Sequence, residues 1–214
     1  MTVYEKSRWA GGQYRLASVP PGKGEITSFL VWQLHELEKL GVSVHLDVAV
    51  TEELVQRESP DVVIAATGAA PIVPNLPGVE QSHVVTAHQV LSGEANTGAN
   101  VVVIGGGLTG TETANHLASN LKNVTLVELL DQIVTNEGLV PRWGLLEDLD
   151  RHKVRVLTGT KVEEITPDAV KVSGKTEEAI PADTVVLAVG AKPVNSLAKQ
   201  LQAAGFDVRL IGDA

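Results

Sequence analysis

Short aliphatic runs recur along the chain, each bounded by polar residues, glycine or proline. They are Thr2-Val3-Tyr4, Val42–Leu46, Val62–Ala66, Val101–Ile104, Val124–Val127 and Val185–Val189. Their β-branched content and their Gly or Pro borders favour buried strands over helices. Between them the apolar spacing becomes helical. Over Ile26–Leu40 it puts Phe29, Leu30, Leu34, Leu37 and Leu40 on one face, and Gly41 supplies a stop. Thr109–Leu121 carries Ala114, Leu117, Ala118 and Leu121 at helical spacing, and Leu145–His152 follows Pro141 as a third helix. Thr86 is a candidate N-cap for a short helix over Ala87–Leu91. Strands alternating with helices predict βαβ units and parallel sheets, an α/β fold.

Several stretches interrupt that alternation. Ala70–Pro77 contains Pro71, Pro74 and Pro77 and reads as an extended crossover; Gly190–Asn195 reads as a second. Ser92–Gly98 is polar, and a domain boundary is expected near Ser92–Thr97. Lys161–Val172 alternates around Pro167-Asp168, which predicts a β-hairpin or meander. The segments Val63–Ala69 and Val186–Ala191 echo each other as a strand running into glycine.

Composition narrows the picture. A length of 214 residues suits one large or two small domains, at about 150 residues per domain. Aromatics are only 3%, so the core must be built from Val, Ile, Leu and Ala, which suits parallel strands covered on both faces. The net charge of -9 argues against a nucleic-acid partner. The absence of cysteine excludes a disulfide framework, a thiolate zinc site, an iron–sulfur cluster and a redox dithiol from this chain. No apolar run approaches the ~20 residues of a membrane span, and Glu5, Lys6 and Arg8 give the start no signal-peptide character. A cytoplasmic protein is expected.

The segment Val101-Val102-Val103-Ile104-Gly105-Gly106-Gly107-Leu108-Thr109-Gly110 carries the candidate chemistry. It fits G-x-G-x-x-G with Gly105, Gly107 and Gly110, and it leaves a strand and opens a helix. Gly105 makes the tight turn, Gly107 admits a pyrophosphate close to the backbone, and Gly110 lets helix and strand approach. Leu108 and Thr109 open the helix, whose free N–H groups favour phosphate. The next strand ends in Glu128, about 20 residues beyond the loop, where a carboxylate accepts both hydroxyls of an adenosine ribose and repels a 2′-phosphate. Leu129, Leu130 and Asp131 offer no arginine, so NADH is expected over NADPH. A loop whose glycines serve packing alone is the competing reading. Thr2–Tyr4 likewise ends in an acid, Glu5, though no glycine loop precedes it.

Tyr4-Glu5-Lys6, Gly11-Gly12-Gln13, Pro21-Gly22-Lys23, Ala66-Thr67-Gly68, the Gly105–Gly110 loop and Ile211-Gly212-Asp213-Ala214 occur in that order. Together they resemble the two-dinucleotide-binding flavoproteins. The Gly-Gly-Gln and Pro-Gly-Lys spacing looks most like the C-terminal FAD/NAD(P)-binding region of the 2,4-dienoyl-CoA reductases and related NADH:flavin oxidoreductases, with trimethylamine dehydrogenase a more distant relative. The resemblance spans the whole chain and implies a Rossmann-like NAD domain inserted into a partial, Rossmann-like FAD domain, with parallel sheets and β-meanders. It implies an FAD-type portion over residues 1–95, an NAD(P)H domain over 96–195 and a return segment over 196–214. It places Glu5 at the FAD ribose, Lys6 and Gln13 along the cofactor, Val50, Ala66, Thr67 and Gly68 on its adenine and diphosphate side, and Asp213 at the ribityl and diphosphate region. Gly190 would sit near the nicotinamide nucleotide.

Two departures qualify the likeness. The family's N-terminal strand and FAD glycine loop are missing, and so is the helix that follows the terminal motif, so a fragment of a larger protein is expected. On this reading NADH passes hydride to FAD in the intact protein, and the isolated chain binds FAD weakly and is inactive. The partner is the rest of the flavoprotein, with an FMN barrel and iron–sulfur cysteines upstream where the parent has them, and exposed sheet edges favour self-association. A non-catalytic nucleotide-binding or docking module is the alternative. His35, His45, His83, His88, His116 and His152 have no metal spacing, so no metal site is expected. No catalytic acid or base is assigned, because hydride transfer between nicotinamide and flavin needs positioning more than a protein base.

Overall fold

The computed structural model describes residues 1–135 and 137–214. In chain order the elements begin with β1 (Thr2–Tyr4), α1 (Gly12–Ala17), α2 (Gly24–Lys39), β2 (Ser43–His45), α3 (Glu52–Glu58), β3 (Val63–Ala65) and β4 (Ala69–Pro71). Then come β5 (Val84–Thr86), α4 (Ala87–Ser92), β6 (Asn100–Ile104), α5 (Leu108–Ser119), β7 (Asn123–Val127), α6 (Leu139–Arg151) and β8 (Arg155–Leu157). The chain closes with β9 (Thr160–Ile165), β10 (Ala169–Gly174), β11 (Glu178–Pro181), β12 (Thr184–Leu187), β13 (Ala191–Pro193), α7 (Ser196–Ala203) and β14 (Val208–Leu210). Two compact units result, one formed by Met1–Ser18, Lys23–Ala70 and Ala191–Ala214, the other by Val19–Gly22 and Pro71–Gly190.

The second unit is built on a five-stranded sheet in the order β5-β12-β6-β7-β8. Its ladders are all parallel, with Val103 opposite both Val186 and Leu126. Alternation along β6 splits its side chains between two cores. Val101 and Val103 face α4, α5 and α6 with Ala114, Leu117, Leu126 and Leu149. Val102 and Ile104 face the antiparallel sheet β11-β10-β9 with Ile165, Val170, Val172 and Ile180. Both faces are therefore covered, which is why these strands are uniformly apolar. The hairpin expected around Pro167-Asp168 is the β9–β10 turn, and Thr86 caps α4 in a full capping box with Gln89.

The first unit holds two separate parallel pairs, β1 with β2 and β14 with β3. Only Val55, Ala65, Ala198 and Leu201 of its apolar residues are buried. The fold class is the expected one, a mixed α/β Rossmann-like architecture with parallel sheets.

Five local expectations need correction. The chain passes into the second unit at Pro71 rather than near Ser92–Thr97, because β5 pairs with β12 and so draws α4 in with it. The return falls at Ala191, not after Asn195. The apolar face expected on α2 is not a core face: Phe29, Leu34 and Leu40 are exposed, and no residue of the helix is buried. Leu121 lies beyond the end of α5 with φ +63° and is 94% exposed. α6 also begins at Leu139 rather than Leu145, six residues earlier than expected, since Pro141 occupies its first turn, where a missing N–H leaves no helical bond unmade. Among the described residues no helix is long and apolar enough to cross a membrane.

Candidate functional site

The carboxyl ends of β12, β6 and β7 lie side by side in the second unit. The chain goes from β6 to β7 and β8 on one side, then returns to β12 on the other, so β6 and β12 flank a topological switch point. Ligands of open parallel sheets bind at such points.

The glycine loop leaves β6 there, and its three motif glycines meet different demands. Gly105 has φ +108°, and a Cβ on it would lie 2.4 Å from the Ala188 carbonyl oxygen. A Cβ on Gly110 would lie 1.9 Å from the Gly105 carbonyl oxygen. These two are needed by the fold. Gly107 is the N-cap of α5, and a Cβ on it would meet nothing within 4 Å. Its missing side chain therefore leaves open space in front of the helix. Leu108 and Thr109 follow in the first turn, where backbone N–H groups have no helical acceptor.

Glu128 stands at the end of β7 and is fixed at both oxygens. The Gly106 N–H donates to Oε2 at 2.6 Å, and the Leu130 N–H donates to Oε1 at 2.7 Å. A pocket of about 290 Å³ opens between this carboxylate and the helix terminus. Gly106, Gly107, Leu108 and Glu128 form one wall, and Leu130, Gln132, Val134, Thr135 and Glu137 complete it. Gly190, with φ +100°, turns the chain out of the segment after β12, and its carbonyl accepts from the Ile72 N–H at 3.0 Å.

Sequence reasoning missed the wall after Leu130. Ile133 and Val134, buried in the α4–α6 core, seat this stretch against the loop, and a Cβ on Gly106 would lie 2.4 Å from Ile133. Val134 donates its N–H to the Gly106 carbonyl at 2.8 Å and has φ +49°. A left-handed β-branched residue is strained, and burial of its side chain holds it there. The adjacent apolar pair Ile133-Val134 in a polar stretch was the one available signal.

The remaining predicted residues lie in the first unit. Glu5 follows β1, its Oε1 accepts the Ser7 N–H at 2.8 Å, and its carbonyl accepts the Val48 N–H at 3.0 Å, two residues before Val50. Lys6 is exposed beside it. Gln13, in the first turn of α1, donates from Nε2 to the Ala69 carbonyl at 3.1 Å and approaches Gly68, which has φ +65°. The Thr67 hydroxyl donates to the Val194 carbonyl. Ala66 follows β3, and the Ile211 N–H donates to Ala65 at 3.1 Å, bringing the turn with Asp213 to that strand end. Gln13, Thr67 and Gly68 thus share one corner. No ladder joins the β1–β2 pair, next to Glu5, to the β3–β14 pair, next to Ala66 and Asp213, among the described residues.

The sequence profile of the family described as "Pyridine nucleotide-disulphide oxidoreductase" matches residues 36–210. The chain is 41% identical over 99% of its length to an NADH oxidase of Thermoanaerobacter brockii, of which it covers 34%. It is 38% identical over 100% of its length to a bilirubin reductase of Mediterraneibacter gnavus, of which it covers 33%. A 2-naphthoyl-CoA reductase solved with 2-naphthoyl-CoA superposes on the whole chain with a TM-score of 0.96 at 28% identity, the chain covering 33% of it. The chain thus spans about a third of the length of these relatives. It belongs to the pyridine nucleotide-disulphide oxidoreductase family, whose members use FAD and NAD(P)H.

Proposed function

We propose that, in this family member, the pocket between Gly107 and Glu128 binds NADH in preference to NADPH. The observation that carries the reading is the pairing of an open N-cap glycine with a pinned carboxylate. The first turn of α5 takes the pyrophosphate on free N–H groups and the positive end of the helix dipole. Glu128 cannot swing away, because two backbone N–H groups hold it, so it accepts from the ribose hydroxyls and repels a 2′-phosphate. Gly190, leaving the β12 side of the switch point, borders the nicotinamide end.

The first unit is the FAD-type half in this proposal. Glu5 serves the adenosine ribose, Gln13, Thr67 and Gly68 serve the diphosphate side with Lys6, Val50 and Ala66, and Asp213 serves the ribityl end. FAD, when bound, accepts hydride from the reduced nicotinamide and passes electrons onward. The residues of this chain orient the donor and exclude a competing phosphate; the substrate is reduced elsewhere in a longer protein of the dienoyl-CoA reductase or NADH:flavin oxidoreductase type. That longer protein, with its FMN barrel and iron–sulfur cluster, is the proposed partner.

Calorimetric titration with NADH and NADPH tests the nucleotide site. Gly107→Ala is expected to keep its melting temperature and lose about tenfold or more in NADH affinity, because its methyl fills the phosphate approach. Glu128→Ala is expected to weaken NADH and narrow the preference over NADPH. NADH binding that neither substitution changes would remove the pocket from consideration.

A further inference from the structure

Leu129, Leu130 and Asp131, directly after Glu128, include no arginine, yet the fold brings one close. Arg142, in the first turn of α6, donates from Nη2 to the Gln132 Oε1 at 2.9 Å. Gln132 lines the nucleotide pocket with Glu128. A guanidinium therefore stands one hydrogen bond behind the pocket wall. Its Nε is buried and has no partner among the described residues, so this cation retains donor capacity that Gln132 does not use. The nearby Asp131 treats another cation similarly, holding the Lys175 Nζ at 2.5 Å.

We propose that Gln132 and Arg142 form a second determinant of nucleotide choice, in which Gln132 holds the guanidinium out of the pocket and leaves Glu128 as the charge that faces the ribose. This inference rests on the nucleotide reading of the pocket. The recognised group is the 2′-position of the adenosine, a hydroxyl in NADH and a dianionic phosphate in NADPH. An arginine matches phosphate with two parallel donors. Taking away the Gln132 side chain opens the wall where the guanidinium waits, and neutralising Glu128 removes the opposing charge. The same two changes then convert a pocket that rejects a 2′-phosphate into one that pairs with it. Gln132 is exposed, so its truncation leaves the core intact.

The test compares NADH and NADPH dissociation constants for the wild-type chain, Glu128→Gln, Glu128→Gln with Gln132→Ala, and that double variant with Arg142→Gln. The double variant is expected to shift the NADPH:NADH affinity ratio by about tenfold beyond Glu128→Gln alone, with the gain shrinking as salt rises. Arg142→Gln is expected to abolish the gain. Arg142→Lys, which keeps the charge, is expected to retain part of it, separating loss of charge from loss of packing around α6. Equal ratios in the double and triple variants, with NADH still bound by the wild type, would overturn this inference alone. A wild-type chain that binds neither nucleotide would overturn the reading of the pocket and this inference with it.

Discussion

Two glycines of one loop make opposite demands on the same methyl group. Gly110→Ala drives a Cβ to 1.9 Å from the Gly105 carbonyl and 3.0 Å from the Ala188 side chain, so strand and helix must separate. Denaturant titration is expected to show a loss of about 1–3 kcal/mol or more, an overpacking cost. Gly107→Ala meets open space and is expected to leave the unfolding midpoint unchanged while nucleotide affinity falls. Titration behaviour is also argued at this scale. Burial pushes His88 and His116 below their ordinary value of 6.5. In the unfolded chain both return to that value, so below it the unfolded state binds more protons. Their contribution to stability is present above pH 6.5 and is lost as acid reaches their lowered folded values. Urea midpoints measured between about pH 7.5 and 5.5 should fall on acidification, and His88→Gln with His116→Gln should flatten that fall.

Among the elements, β6 and β7 carry the site because they carry the core. Leu126 is fully buried in β7 and packs in the α4–α6 core, two residues before Glu128. Leu126→Ala is expected to cost about 2–5 kcal/mol in the unfolding of the second unit, by lost transfer energy and a residual cavity. Registry at the other end of the sheet is held by Asp183. Its Oδ2 accepts from the Asn100 N–H at 2.7 Å and from Asn100 Nδ2 at 3.1 Å, tying the start of β12 to the start of β6. The Asn100 backbone bond is the main reason its carboxyl stays below the usual range. α2 is the contrasting element. Its stripe is regular, yet Phe29 on it is 43% exposed and stacks at the surface on Trp32, which lies off the stripe.

For the whole molecule, buried apolar residues are distributed unevenly between the two units. Both core clusters belong to the second unit, one on each face of its sheet. The first unit has two-stranded pairs and little buried surface of its own. Local stability follows buried contacts and protected ladders. Hydrogen exchange is expected to show slow amides in β6, β7 and β12 and fast amides in β1, β2, β3 and β14. Equal protection in both sets would contradict this division of stability.

The parallel α/β class, the strands and the glycine loop with its acid were legible along the chain because each is a local code. A buried strand must be apolar on both faces, a tight strand-to-helix turn must be glycine, and a capping box needs Thr86 and Gln89 at a set spacing. The same local code on α2 did not say what, if anything, would cover its stripe, since periodicity marks a face and not its partner. Nor could spacing show that β5 joins the sheet through β12, which moved the division of the chain to Pro71. Tertiary packing alone seated Ile133 and Val134 against Gly106 and bent the chain into the pocket wall. It also carried Arg142 behind Gln132, because two side chains ten residues apart in sequence become neighbours only once α6 docks into the core it shares with α5.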